Sequence, residues 1–247
     1  MITKVTIIGF GTMGRAIGNA LKKDKSIKIF IVDIEKKEYA EIKNSDFVIL
    51  SIKPQNAKEA IEDLKMKGLN KKTILISIMA GVSIEKIHRL SSHQKIVRMM
   101  PNLGLSVGYG IAAWKSANLS AGEKKKVKNF IDKITDNFEV KNEDDLNKVT
   151  AISGSGPAYF FIFAKYLTEA GKKIGLTKKE VQRLVSKTFS ASAILSKETD
   201  YSSLVEKVAS KGGTTEAALQ ALEKKQLKKT VQDAVSSAYR RAKELSK

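Results

Sequence analysis

The chain lacks cysteine altogether and has only three prolines in 247 residues. Without cysteine there is no disulfide, no thiol nucleophile and no cysteine-bound metal. The two histidines, His88 and His93, are five residues apart, which is the wrong spacing for two ligands on one helical face. We therefore expect no metal site.

Long apolar runs are missing as well. No stretch approaches the roughly 20 apolar residues that a membrane-spanning helix needs. The apolar segment at the N-terminus is too short for a signal peptide and leads directly into a glycine motif. The sequence therefore predicts a cytoplasmic protein without a membrane partner.

Acidic residues are too few to balance the basic ones, and the net charge is +19. Such an excess raises the question of nucleic-acid binding. However, the basic residues are 39 lysines and only 6 arginines, spread along the whole chain, whereas base recognition prefers arginine. We interpret the lysines as solvated helix surfaces and expect no nucleic-acid partner. The positive field would still attract anionic cofactors and substrates.

Short apolar runs alternate with helix-like segments in the first half of the chain. The runs are rich in Ile and Val and lie between turn signals, as buried parallel strands do. This alternation predicts an α/β fold with a parallel, doubly wound sheet. The predicted strands are residues 5–8, 29–32, 47–52, 74–78, 96–99, 110–114 and 138–140, and the predicted helices are residues 14–23, 56–67 and 121–136.

The pattern changes near residue 142, beyond which we predict helices only. Thr177 and Glu180 have the spacing of a capping box, and Gly175 is typical of a helix stop. We therefore predict two domains, 1–142 and 143–247, of which the second suits a subunit interface because small residues recur on its helices. The predicted helices are residues 144–175, 177–196, 201–209, 215–222 and 226–245.

The clearest motif is a G-x-G-x-x-G pattern that follows the first predicted strand and opens a helix. This context is typical of a dinucleotide-binding Rossmann fold. The first glycine permits a tight turn, the second admits the pyrophosphate to the backbone, and the third lets the helix pack on the strand. The helix N-terminus attracts the phosphates. The predicted cofactor-binding residues here are Gly9, Phe10, Gly11, Thr12, Met13 and Gly14.

Asp33 follows the second predicted strand, where an acid can hydrogen-bond the adenosine ribose. We include Asp33 in the predicted cofactor site. Its position favours NADH, but Lys36 or Lys37 could pair with the 2′-phosphate of NADPH. The sequence leaves both cofactors open.

The three prolines lie in further motifs, two of them directly after predicted strands. Together with the glycine pattern, these motifs resemble those of pyrroline-5-carboxylate reductases along the whole chain. The most distinctive are Ser-Gly-Ser-Gly-Pro-Ala-Tyr at 153–159 and Ala-Ser-Lys-Gly-Gly-Thr-Thr at 209–215. The others are Lys-Pro-Gln at 53–55, Ser-Ile-Met-Ala-Gly-Val-Ser at 77–83 and Arg-Met-Met-Pro-Asn at 98–102.

The resemblance implies a Rossmann domain followed by a helical dimerisation domain. It implies hydride transfer from NADPH or NADH to the imine carbon of 1-pyrroline-5-carboxylate, which gives L-proline in the last step of proline biosynthesis. It also implies a homo-oligomer, at least a dimer, with the active site completed across the subunit interface. Further cofactor-binding residues implied in this way are Lys53, Pro54, Met79, Ala80, Gly81 and Asn102.

The loop at 210–215 is where the resemblance places the substrate. Its glycines let backbone N–H groups converge on a carboxylate, although a glycine loop that only caps the next helix would look the same. The resemblance implies that Thr215 lies beside the ring nitrogen of the substrate. It also implies that Glu198 lies near the substrate amine, although a surface charge on a helix is an equal alternative for Glu198. The predicted catalytic residues are Thr215, Ser210 and Glu198, and the predicted substrate-binding residues are Ser210, Gly212, Gly213, Thr214 and Thr215.

Three features depart from the family pattern. Only about a dozen residues separate Asp33 from the next predicted strand, where the family has room for a longer helix and an extra strand. Lys211 stands where the family usually has proline, and Leu103-Gly104 replaces Thr-Pro after Met-Pro-Asn. These differences bear on the cofactor preference and on the fit of the substrate.

Two other kinds of function compete with this reading. One is an NAD(P)H-dependent reductase of another small cyclic imine or of a hydroxyacid. Lys165 would serve the hydroxyacid branch, but it follows the Ser-Gly-Ser-Gly-Pro-Ala-Tyr motif, which points to imines. The other is a non-catalytic NAD-binding regulator or a basic nucleic-acid-binding protein, and the Gly-Gly-Thr-Thr loop argues against both.

Overall fold

The computed structural model describes residues 2–32, 39, 41–197 and 199–246. They form two compact units. We call Met1–Pro157 with Ser237–Lys247 the sheet unit, and Ala158–Ser236 the helical unit. Within the described residues, no helix is long and apolar enough to span a membrane.

The described part of the sheet unit contains a seven-stranded sheet with the strand order β2-β1-β3-β4-β5-β6-β7. The first five strands are mutually parallel. This confirms the predicted α/β fold with a largely parallel sheet. The strands are β1 (Thr3–Ile8), β2 (Ile27–Val32), β3 (Phe47–Leu50), β4 (Ile74–Ser77), β5 (Ile96–Pro101), β6 (Ile111–Ala117) and β7 (Asp136–Glu139).

Helices cover both faces of this sheet, because alternate strand residues point to opposite sides and both sides are apolar. α1 and α4 pack on one face, where Ile7, Ile49 and Ile76 join them in one buried cluster. α2 and α3 pack on the other face around Leu50 and Leu75. The helices of this unit are α1 (Thr12–Leu21), α2 (Ala57–Lys67), α3 (Ile84–Ser91), α4 (Ala121–Asp132) and α5 (Asp145–Val149).

The structure corrects the predicted elements in three places. β6 runs antiparallel to β5, because a short segment with a 3₁₀ turn at Leu103–Val107 joins them instead of a crossover helix. α3 was not predicted, although Ser83 caps it by accepting the Lys86 N–H. The predicted helix 144–175 is broken, because a π-helical turn at Thr150–Gly154 separates α5 from the next helix, whose second residue is a proline.

The helical unit is built from α6 (Gly156–Lys173), which begins in the sheet unit, α7 (Lys178–Leu195), α8 (Tyr201–Val208), α9 (Thr214–Lys224) and the start of α10 (Leu227–Leu245). The predicted capping box at the start of α7 is confirmed. Val181 is the only buried residue among those described in this unit. Large apolar side chains are exposed on its helices, among them Phe160, Phe161, Phe163, Tyr166, Leu184, Ile194, Leu195 and Tyr201.

Candidate cofactor and substrate sites

The predicted cofactor residues that the structure describes meet at one edge of the sheet. Gly9 follows β1, Lys53 lies shortly after β3, Met79 follows β4 and Asn102 follows β5. These four strands are parallel neighbours, so their carboxyl ends share an edge. β2 and β3 flank β1 on opposite sides, and open α/β sheets place their ligands where the strand order reverses in this way.

Packing requires glycine at both ends of the G-x-G-x-x-G turn. Gly9 has φ of +86°, and a Cβ on it would lie 2.4 Å from the carbonyl oxygen of Ser51. A Cβ on Gly14 would lie 2.3 Å from the carbonyl oxygen of Gly9. Because both obstacles are backbone atoms, neither glycine tolerates a side chain without movement of the chain. The turn therefore brings α1 as close to β1 and β3 as backbone can come.

The middle glycine has the opposite environment. A Cβ on Gly11 would meet no atom within 4 Å, so the space above it is open. Gly11 is the N-cap of α1 and no side chain caps the helix, whose first turn also contains no acid. The first-turn N–H groups of Thr12 and Met13 therefore have no side-chain partner at the cap. This arrangement suits an anion that approaches the backbone.

Neighbouring side chains hold the rest of this turn. The ring of Phe10 lies against Gly18, where a Cβ would come 3.0 Å from the ring edge. The Nε of Arg15 donates to the carbonyl oxygen of Phe10 at 2.8 Å. Phe10 thus packs the turn against α1.

Two further turns flank the glycine turn along the same edge. Pro54 opens a 3₁₀ turn that leads into α2, and Lys53 before it is exposed. Met79 is fully buried, with its N–H donating to the Ser77 hydroxyl at 3.3 Å. Ala80 is half-buried and packs against a small apolar cluster that includes Met100.

Asn102 makes hydrogen bonds at both ends of its amide. Its Nδ2 donates to the Ser153 hydroxyl at 3.1 Å, and its Oδ1 accepts the Ile111 N–H at 3.2 Å. Ser153 belongs to the π-helical turn before α6. The side chain of Asn102 therefore joins the end of β5 to this turn and to the start of β6, and a ligand at this position would meet an amide whose orientation is already fixed.

β5, one of the strands that end at this edge, contains a buried arginine. Arg98 is 1% exposed, and its Nη1 donates to Glu143 Oε1 while its Nη2 donates to Asn147 Oδ1, both at 3.0 Å. In the same region the Tyr239 hydroxyl donates to Asp144 Oδ2 at 2.7 Å, and this hydrogen bond lowers the pKa of Asp144 below its ordinary value. The end of α10 is thereby tied to α5.

The predicted substrate residues described by the structure lie in one loop of the helical unit and in the first turn of the helix that follows it. Gly212 has φ of +73°, in the left-handed region that favours glycine. Gly213 is the N-cap of α9, and its N–H donates to the carbonyl oxygen of Ser210 at 2.9 Å. Thr214 and Thr215 form the first turn of α9, which no side chain caps.

One donor of this loop already has an acidic partner. The Gly212 N–H donates to Oε2 of Glu216 at 2.7 Å. Glu216 is in the first turn of α9, so its carboxylate folds back over the loop that precedes the helix. The loop thus binds a carboxylate of its own chain with part of the geometry that the sequence predicted for a substrate.

Two predicted site residues, Asp33 and Glu198, lie outside the described residues. The described residues contain no group of three or more His, Cys, Asp or Glu arranged to hold a metal ion. Sequence reasoning did not single out three residues that shape the sites. Ser153 was noticed only as part of a motif, and Glu216 could have been found as an acid in the first turn after a glycine cap. Ser51 gave no local signal.

The strand order and the glycine turn between β1 and α1 define a Rossmann-type α/β fold of the class that binds dinucleotides. Residues 25–81 match the family described as NADP oxidoreductase coenzyme F420-dependent. Residues 143–245 match the family described as pyrroline-5-carboxylate reductase dimerisation.

Similarity to individual proteins extends over the whole chain. A pyrroline-5-carboxylate reductase of Aquifex aeolicus is 35% identical, over 98% of this chain and 97% of the other. The crystal structure of Plasmodium falciparum pyrroline carboxylate reductase with NADP bound has a TM-score of 0.88 and 30% identity, over 99% of this chain and 98% of the other. The Streptococcus pyogenes enzyme gives a TM-score of 0.86 and 30% identity, over 98% and 99%. The chain belongs to the pyrroline-5-carboxylate reductase family.

Proposed function

We propose that the protein reduces 1-pyrroline-5-carboxylate to L-proline with NADPH or NADH. The observation that carries this proposal is the presence of two uncapped, glycine-bounded helix starts, at Gly11 and Gly213, in a chain of this family. One suits the pyrophosphate of a dinucleotide and the other the carboxylate of a small substrate.

The sheet unit would hold the cofactor along the carboxyl edge of the sheet. Gly9 and Gly14 fix the turn, and the open space at Gly11 lets a pyrophosphate reach the first-turn N–H groups of Thr12 and Met13. When bound, the nicotinamide supplies the hydride. The other proposed contacts are Phe10, Asp33, Lys53, Pro54, Met79, Ala80, Gly81 and Asn102.

The loop at 210–215 would hold the substrate. Ser210, Gly212, Gly213 and Thr214 surround the carboxylate, which the dipole of α9 also attracts. The hydroxyl of Thr215 donates a hydrogen bond to the ring nitrogen. That nitrogen takes up a proton as the neighbouring imine carbon accepts the hydride, so a positioned donor lowers the barrier. Glu198 is the proposed acid beside the amine.

The two sites belong to the proposed domains 1–142 and 143–247. We propose that the active site is completed by a second copy of the chain. The exposed apolar side chains of the helical unit support a homo-oligomer, because a monomer rarely leaves such large apolar surfaces in water. The proposed partners are the imine and a second copy of the chain, without nucleic acid or membrane. The proposed location is the cytoplasm, which supplies reduced dinucleotides.

The test is a side-by-side assay of NADPH and NADH oxidation by the purified protein with 1-pyrroline-5-carboxylate. We expect turnover with at least one cofactor and proline as the product. Activity only with another cyclic imine would replace the substrate but keep the reaction class. A protein that oxidises neither cofactor, and binds DNA at physiological ionic strength, would overturn the proposal.

A further inference from the structure

The last turn of α10 lies directly against the turn that follows β4. Gly81 is buried with φ of +72°. A Cβ on it would lie 2.3 Å from the Cβ of Leu245 and 2.9 Å from the Leu245 carbonyl carbon. Both residues belong to the sheet unit. Leu245 therefore covers Gly81 so closely that only glycine fits at position 81 without movement of the chain.

Two hydrogen bonds to α5 hold the end of α10 in this place. The Tyr239 hydroxyl donates to Asp144, and about two turns later the Ser246 hydroxyl lies 3.0 Å from Asn147 Oδ1. Leu245 lies between these anchors in the chain. Its position over Gly81 is thus set by polar contacts on both sides.

The chain beyond Gly81 is fixed by the same network. Glu143 Oε1 accepts the Ile84 N–H at 2.9 Å and also pairs with the buried Arg98. Ile84 is the first residue of α3 and lies three residues after Gly81. Glu143, which precedes α5, therefore holds the chain just after the turn at residues 79–81, and the end of α10 covers the turn itself.

The exposure of Leu245 distinguishes this contact from ordinary core packing. Leu245 is 42% exposed, so its burial contributes less to the stability of the fold than that of a core leucine. What touches Gly81 is the Cβ and the backbone. The Cβ and backbone of Leu245 can therefore fix the position of Gly81 apart from the contribution that the rest of the side chain makes to stability.

We propose that Leu245 is a positioning residue for the nicotinamide dinucleotide, acting through Gly81 on the backbone that lines the cofactor. This rests on the proposed function, in which residues 79–81 contact the cofactor. The last turn of α10 then determines how far that backbone projects from the sheet edge. The affinity for NADPH or NADH consequently depends on the C-terminal end of the chain.

The experiment compares Leu245→Gly with Glu244→Gly in the full-length protein. Both place glycine in the last turn of α10, but only the first removes the Cβ over Gly81, whereas Glu244 pairs with Arg241 on the surface. We expect Leu245→Gly to raise the Kd for the preferred dinucleotide about tenfold. The KM for the imine should match that of Glu244→Gly, and the unfolding temperature should lie close to that of Leu245→Ala, which removes most of the same side chain. Leu245→Ala, which keeps the Cβ, should restore the Kd to within about twofold of the parent.

Equal Kd values for the two glycine variants would overturn the inference, as would a loss of affinity that only follows a lower unfolding temperature. If Leu245→Gly does not fold, Ser246→Ala tests the same contact by removing one anchor, and an unchanged Kd would then overturn it. Failure of the unsubstituted protein to bind either dinucleotide is a separate result. It would reject the proposed cofactor site, and this inference with it.

Discussion

The two glycine loops differ in what holds them. Each has a glycine with positive φ, Gly9 or Gly212, and each opens a helix whose N-cap is a glycine without a side-chain cap. In the first loop, a Cβ on Gly9 or Gly14 would strike backbone of the sheet unit. In the second loop, a Cβ on Gly212 would meet nothing within 4 Å, and the atoms nearest to one on Gly213 belong to Ser210 of the same loop.

This difference separates two ways of building an anion site. The first loop is set by the packing of α1 against the strands, so its shape and the stability of the sheet unit are coupled. The second is set by its own hydrogen bonds, chiefly those that Gly212 and Gly213 donate to Glu216 and Ser210. Substitutions at Gly9 and Gly14 should therefore change binding and stability together, whereas those at Thr215 and Glu216 in the second loop should change catalysis or affinity alone.

The largest effect is expected from Thr215→Ala in the second loop. Removal of the hydroxyl deprives the ring nitrogen of its donor, and positioned proton donors typically contribute about 100-fold or more to the rate. We expect kcat to fall by that factor, while the Kd for NADPH or NADH and the unfolding temperature stay unchanged. Steady-state kinetics measures kcat, and fluorescence titration measures the Kd for the dinucleotide.

Thr215→Ser is the matched control, because it keeps the hydroxyl and removes only a methyl group. It should retain most of the turnover. A kcat of Thr215→Ala near that of the parent would remove Thr215 from the mechanism. A parallel loss of dinucleotide affinity would show that the second loop is coupled to the cofactor site, against the separation drawn above.

The next effect concerns the first loop, where Gly14→Ala and Gly11→Ala should differ in their unfolding free energies. The Cβ at position 14 lies 2.3 Å from a carbonyl oxygen, so Gly14→Ala should cost about 1–3 kcal/mol of unfolding free energy. The Cβ at position 11 meets no atom, and Gly11→Ala should cost less than about 1 kcal/mol. Both should weaken dinucleotide binding by about tenfold or more. A bound pyrophosphate needs the space at Gly11, and a side chain at position 14 would displace the turn that places Gly11.

Denaturant unfolding and dinucleotide titration together test this pair. Gly122→Ala serves as the control, because a Cβ there also meets nothing within 4 Å and Gly122 lies on α4, away from the carboxyl edge. It should leave the Kd unchanged. If Gly11→Ala binds the dinucleotide as tightly as the parent does, the proposed pyrophosphate position is wrong.

The same contrast explains what the sequence could predict. The strands were predictable because buried parallel strands need continuous apolar runs, and the glycine turn because its requirements are local. The direction of β6 and the break before α6 were not predicted. The direction of β6 depends on how a short connection packs against the sheet, and no periodicity in the sequence encodes that. The break before α6 could have been expected from Pro157, because proline interrupts a helix.

The candidate sites show the same limit. The sequence identified Gly81 by its motif, but not that Leu245, from the other end of the chain, lies over it. It predicted that the Gly-Gly-Thr-Thr loop could accept a carboxylate, but not that Glu216 occupies the Gly212 N–H. Local backbone requirements can be read from residue types, whereas a contact between distant segments needs the fold.

The smallest effect follows from this last contact. Glu216→Gln keeps an amide oxygen that can accept the Gly212 N–H, so the loop geometry should persist, but it removes a negative charge beside the proposed site of the substrate carboxylate. At this exposed position the repulsion is modest, and we expect the KM for the imine to fall by about two- to fivefold, with kcat and the dinucleotide Kd unchanged.

Glu223→Gln is the matched control, because it removes the same charge from the same helix two turns away from the loop. It should leave the KM nearly unchanged, and raising the ionic strength should shrink the difference between the two variants. A higher KM for Glu216→Gln would mean that the carboxylate orders the loop more than it repels the substrate. The shape of the second loop, like that of the first, would then be fixed before the ligand binds, in this case by the carboxylate of Glu216.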